Sequence, residues 1–178
     1  MSKIEIDLVV NRYSIQLGSS ISKQDLKNSR FKKLHFLSRL IMKSQKGEVI
    51  YFVKKCSIEC FDSEFMMVPI LESSMGWHGT AAYLHFLNDQ LALVRLVCFG
   101  DVGWAWYRTK EFRDICRKNL APPKVDSDSL AVWEDSDSLL VSTLRKNSSW
   151  AFIRWVKKES PYRITLLYCS RLKIPEIY

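Results

Sequence analysis

The twenty residues from Ala81 to Gly100, AAYLHFLNDQLALVRLVCFG, form the longest apolar region of the chain, and the medium that surrounds them decides the fold. A continuous apolar run of that length in helical form would cross a bilayer. This one carries His85, Asn88, Asp89 and Arg95. Each charge at the centre of a membrane helix costs about 2.5 to 3.5 kcal/mol, so the segment does not belong in lipid. Its second half, ALVRLVCF (92–99), has the low charge and β-branched content of a strand buried in a protein core. Any membrane contact is therefore expected to be peripheral, with no transmembrane helix.

On the N-terminal side, Ile4, Ile6, Leu8 and Val10 alternate with Glu5, Asp7 and Val9, and the alternation resumes at Tyr13, Ile15 and Leu17 after a short polar break. Period-2 patterning around a break predicts a hairpin or a bent strand. Acids inside MSKIEIDLVV (1–10) argue against a secretory signal, and five cysteines, an odd number, point to free thiols in a reducing compartment. Ser22 stands three residues before Asp25, a capping pattern, ahead of a run from Leu26 to Met42 with apolar periodicity. This predicts a helix over about 22–43. Lys32, Arg39 and Lys43 then share a stripe opposite Phe31, Leu34, Leu37 and Ile41, with Lys33 beside it. EVIYFVKKCSIECF (48–61) and FMMVPIL (65–71) have strand composition, Pro69 placing the latter at an edge or break, and ESSMGWHGTAA (72–82) reads as a loop.

On the C-terminal side, VGWAWYRTKEFRDICRKNL (102–120) places Trp104 and Trp106 on one face of a short strand, and Thr109 as N-cap of a helix over 109–120. Phe112, Ile115 and Cys116 would line its inner side, with Leu120 close by, and Lys110, Arg113 and Arg117 outside. The aromatics are thus expected in the core, and APPK (121–124) ends the helix. DSDS occurs at 126–129 and again at 135–138, as two acidic turns around a short strand at Val132 and Trp133, and is a candidate for phosphorylation. SWAFIRWVKK (149–158) and YRITLLYCSRLKI (162–174) read as antiparallel strands, with Arg154, Lys157, Lys158 and Arg163 on an exposed face.

A hydrophobic fraction of 47% over 178 residues suits one domain. The expectation is a single compact α+β domain over 1–178, an antiparallel β-sheet with two main helices at about 22–43 and 109–120. The net charge of +8 favours phosphate, anionic lipid or an acidic protein as partner. Its sign alternates along the chain: +8 over 1–55, −5 over 56–101, +4 over 102–124, −5 over 125–137 and +6 over 138–178. Such blocks suit separate faces, or copies that attract head to tail.

Motifs for catalysis are missing. No glycine pattern for nucleotides occurs, Cys56, Cys60, His78 and His85 lack zinc-site spacing, and paired acids lie only in polar turns. No cofactor and no enzymatic activity are expected. Zinc-finger and RNP-type signatures are also missing, which leaves phosphate contact through the basic blocks as the route to nucleic acid.

In its size, its basic charge, its order of elements and the run WYRTKEFRDICRKNL (106–120), with Phe112, Asp114, Arg117 and Lys118, the chain resembles the matrix proteins of rhabdoviruses. Animal-virus members carry a basic N-terminal arm with a PPxY-type motif, whereas here structure is expected from near Lys3 and the double proline Pro122–Pro123 precedes Lys124 and Val125, so the chain resembles more the shorter plant-infecting, cytorhabdovirus-like branch. The resemblance implies a non-enzymatic matrix protein that self-associates as a homo-oligomer and joins the viral nucleocapsid to an anionic membrane surface, in the virion and the host cytoplasm. The residues expected to make those contacts are Lys32, Lys33, Arg39, Lys43, Arg113, Arg117, Lys118, Lys157 and Lys158. A plant-virus RNA-binding accessory protein, either a movement protein or a silencing suppressor, is the alternative.

Overall fold

Asn88 and Asp89 both take left-handed backbone conformations, with φ of 52° and 63°. These residue types tolerate that region, and two such residues in succession make the tight turn whose twist matches a β-hairpin. The apolar stretch is therefore folded in half. Its arms are the longest strands among the described residues, β8 (Gly76–Leu87) and β9 (Gln90–Phe99), paired antiparallel from Leu87 with Gln90 to Gly79 with Phe99.

The computed structural model describes residues 4, 6–10, 13–22, 25, 31–34, 47–53, 57–60, 63–66, 71–73, 76–144 and 150–160. Before the long hairpin come β1 (Ile6–Val10), β2 (Tyr13–Ile15), β3 (Lys32–Lys33), β4 (Glu48–Val53), β5 (Ser57–Cys60), β6 (Ser63–Met66) and β7 (Leu71–Ser73). After it come α1 (Val102–Asn119), β10 (Val125–Asp126), β11 (Leu130–Glu134), β12 (Ser138–Leu144) and β13 (Trp150–Lys157). The main sheet runs β10-β11-β12-β13-β9-β8-β4-β3, with β7 paired to the start of β8, and a smaller sheet runs β2-β1-β5-β6. Every pairing is antiparallel. The α+β expectation holds, with one of the two expected helices present among the described residues.

α1 packs across β9, β13 and β12. Phe112, Cys116 and Leu120 join Ala82, Leu84, Val94, Leu96, Leu140, Ile153 and Trp155 in the main core, and Ile4 and Ile15 close it. At roughly 25 cal/mol per Å² of apolar surface removed from water, this layer dominates the stability of the fold. The opposite face of the sheet has its own cluster at one end, around Leu93, Val132, Leu139, Val141 and Val156. Buried within the sheet, His85 Nδ1 and Glu48 Oε1 are 2.5 Å apart.

Several expectations are corrected. Phe31 to Leu34 are not helical: Lys32 and Lys33 pair with Phe52 and Tyr51, and Leu34 N donates to Ile50 O at 3.0 Å. Lysine on an outer strand blocks further strand addition, so the charge read as a helical stripe guards a sheet edge. The capping contact does form, Asp25 N donating to Ser22 Oγ at 3.1 Å, while the remainder of the expected helix, including Arg39 and Lys43, lies outside the described residues. Much of 72–82 is strand and not loop, because Gly76 already belongs to β8. The helix expected over 109–120 begins at Val102, so Trp104 to Tyr107, expected as a short strand, lie in its first turns. The strand expected at YRITLLYCSRLKI lies outside the described residues.

Candidate functional site

α1 starts where Asp101 accepts a hydrogen bond from Trp104 N at 2.7 Å, satisfying one of the amides that a helix leaves open at its start. From that start the buried positions are Ala105, Arg108, Thr109, Phe112, Arg113 and Cys116, spaced by three and four. Thr109, expected as a cap, is a mid-helix residue whose hydroxyl donates to Ala105 O at 2.8 Å. Moving the start forward by seven residues rotates Trp106 and Tyr107 outward. Val102, Trp106 and Tyr107 are 46%, 50% and 59% exposed, and they are the large exposed hydrophobic residues of the described chain.

Trp106 and Tyr107 therefore form surface, Trp104 stays half-buried against Cys98, Ala105 and Ala151, and two of the arginines form core. Lys110 Nζ stands 5.3 Å from the centre of the Trp106 ring, a cation–π contact one helical turn on, and Lys118 is exposed further along. Between Trp106 and Lys118 lies a shallow groove that Tyr107, Glu111, Asp114 and Ile115 complete. A tryptophan and a tyrosine projecting from a helix beside lysines is the amphipathic combination favoured where water meets lipid headgroups.

Arg113 is 5% exposed and holds α1 to the sheet. Its Nε donates to Ser142 Oγ at 3.0 Å, its NH2 to Ser142 O at 3.1 Å, and its NH1 to Ser127 O and Asp128 O at 2.9 and 3.0 Å. Burial lowers its pKa from the usual guanidinium value, with Arg117 adding to that. Arg108, the other buried arginine, bonds Glu111 at 2.5 Å. Arg113 is thus a structural residue, which removes it from the expected contact surface.

The other expected contact residues are dispersed. Arg117 bonds Asp126 at 2.8 and 3.2 Å and Asp114 at 2.9 Å, and the bond to Asp126 raises its pKa while holding the Asp126 carboxyl down. Lys158 pairs with Glu134 at 2.6 Å and donates to Asp135 O. Lys157 lays its stem over Gly18, whose φ of 86° and lack of Cβ permit the approach. Lys32 and Lys33 are exposed on the outer strand. Both DSDS copies bracket β11 and meet basic residues: the first meets Arg113 and Arg117, the second lies against Lys158. Neighbouring charge blocks thus satisfy each other within one molecule.

Sequence reasoning missed Val102, Trp106 and Tyr107 as surface. Asp101 was the signal that would have found them, because a cap there puts the inward stripe at 105, 109, 112 and 116. Among the described residues no group of three His, Cys, Asp or Glu converges as a metal site would require, and no helix is long and apolar enough to cross a membrane. No protein-family model, curated protein or solved structure matches the chain.

Proposed function

We propose that this chain is a matrix-type structural protein that sits peripherally on an anionic membrane through α1 and presents the rest of its sheet to a nucleocapsid. The observation that carries the reading is the exposed row Val102, Trp106 and Tyr107 with Lys110 beside it, on a helix whose other side is locked to the sheet. The indole and phenol rings would enter the headgroup region, and Lys110 and Lys118 would meet lipid phosphates and carboxylates. Each lysine near such a surface contributes about 1 kcal/mol, so two of them with two aromatics suffice for reversible attachment.

Flotation of the full chain with phosphatidylserine-containing and neutral vesicles, at low and high salt, tests this. Flotation is expected only with the anionic vesicles, and Trp106→Ser with Tyr107→Ser is expected to lower the bound fraction by about tenfold while leaving the circular dichroism and the melting temperature unchanged. Equal flotation of that variant and the parent protein would remove α1 as the membrane contact. RNA affinity without flotation of the parent protein would support the RNA-binding accessory reading instead.

A further inference from the structure

We infer that the face of the main sheet opposite α1 is a binding platform for single-stranded nucleic acid. One register line crosses five strands there: Lys32 opposite Phe52, Phe52 opposite Tyr83, Tyr83 opposite Arg95, and Arg95 opposite Arg154. Residues paired across antiparallel strands project to the same side, so this line reads cation, ring, ring, cation, cation. No acidic residue stands in it, and it continues through Val141, Val132 and Val125.

The rings and cations of this line are interleaved. Phe52 and Tyr83 have ring centres 5.1 Å apart. Phe152, two residues before Arg154 on the same face, lies beneath both guanidiniums, 5.1 Å from that of Arg95 and 4.9 Å from that of Arg154. Arg95 also faces the Tyr83 ring at 6.0 Å. Lys32 is exposed, and Phe52, Tyr83, Arg95, Phe152 and Arg154 each keep part of their surface open.

Four strand spacings of about 4.8 Å make this line about 19 Å long, the span of roughly four nucleotides. Half-buried rings on the sheet face offer stacking area to bases, and two arginines on adjacent strands concentrate positive charge for the phosphates between them. A lipid contact asks instead for rings that project into the surroundings, as the exposed Trp106 and Tyr107 do on α1, whereas Phe52, Tyr83 and Phe152 are only half-exposed. The inference rests on the matrix-type reading only in taking the nucleic acid to be nucleocapsid RNA. Binding itself is measured without lipid.

The test titrates the full chain into a fluorescent oligouridylate of about twelve nucleotides, read by anisotropy over a salt series, beside a deoxy oligomer and an RNA duplex. The protein is expected to bind both single strands and to prefer them to the duplex. Arg95→Gln with Arg154→Gln is expected to weaken binding about tenfold or more and to flatten the log–log salt slope by about 1.4, the value for two phosphate contacts on a single strand. Phe52→Leu is expected to weaken binding about fivefold with the salt slope unchanged, a stacking loss. The Trp106→Ser, Tyr107→Ser variant is expected to keep its affinity, so failure of the membrane reading and failure of this one are separable. Lack of binding by the parent protein would overturn the proposal. So would equal affinity for duplex, parent-like affinity of the folded double-arginine variant, or loss of vesicle flotation by that variant in place of RNA binding. Should the double-arginine variant fail to fold, Lys32→Gln and Phe52→Leu carry the same comparison.

Discussion

Asp135 ties Ile4 to the turn between β11 and β12 through one carboxylate. Oδ2 accepts from Ile4 N at 2.6 Å, and Oδ1 accepts from Asp137 N at 2.8 Å and from Ser138 N and Oγ at 2.6 and 3.1 Å, all in a site 3% exposed. Trp155 Nε1 donates in turn to Ser138 Oγ at 3.2 Å. Burial alone would raise the carboxyl's pKa, but these donors outweigh it and the net shift is downward. Glu134 moves the same way, burial being outweighed by Lys124 and Lys158. A carboxylate held down in the folded state gives stability that is complete above its unfolded pKa, about 4, and is lost as pH falls through the folded value. Urea midpoints measured at neutral pH and at about pH 3 should therefore fall steeply on acidification for the parent protein and less steeply for Asp135→Asn. At neutral pH, Asp135→Ala should cost on the order of 3 kcal/mol, since buried amide donors lose their acceptor. A pH dependence identical in Asp135→Asn and the parent would assign the acid sensitivity elsewhere. None of this was legible in DSDS as a string, because the same four letters at 126–129 form a more exposed turn against Arg117.

At the scale of elements, what the sequence reveals depends on whether a local pattern has one physical cause. The alternation from Ile6 to Ile15 has one, and the hairpin of β1 and β2 follows it, Leu8 opposite Ile15. β13 likewise follows SWAFIRWVKK. Trp-Ala-Trp at 104–106 has two: a strand would put both rings on one face, a helix sets them about 200° apart, and the cap at Asp101 is what selects the helix. Replacing Asp101 by Ala should cost about 1 kcal/mol in α1 and the protein, read as a lower urea midpoint with an unchanged m-value. No loss would mean that packing of Phe112 and Cys116 alone positions the helix. The pair Asn88–Asp89 was legible as polarity and not as a turn, though its geometry makes it one. Asp89→Gly should leave stability unchanged or raise it by up to about 1 kcal/mol, whereas Asp89→Val should lower it by about 1 to 2 kcal/mol, because a β-branched side chain resists positive φ. Equal melting temperatures for the two variants would show that the hairpin is held by its strands and not by its turn. FKK at 31–33 was read as helix because charge spacing cannot tell a solvated stripe from a guarded edge strand. That choice is made by the partner, β4, whose paired residues Tyr51 and Phe52 lie 18 and 20 residues away in sequence.

Across the whole molecule, the sheet separates two surfaces of different chemistry. α1 covers the side that carries Ala82, Leu96, Ile153 and Ser142 and turns Trp106 and Tyr107 outward, while the line from Lys32 to Arg154 occupies the other side. Two ligands on opposite sides of one sheet need not compete, so the protein should bridge them. Mixed with phosphatidylserine vesicles and labelled oligouridylate, the parent protein should carry the RNA to the top of a flotation gradient, where RNA without protein stays at the bottom. Trp106→Ser with Tyr107→Ser should leave protein and RNA together at the bottom. Arg95→Gln with Arg154→Gln should float the protein and leave the RNA behind. A mixture in which vesicles displace RNA from the parent protein would place both ligands on one surface and would remove the bridging role, because linkage requires that each site accept its ligand with the other occupied.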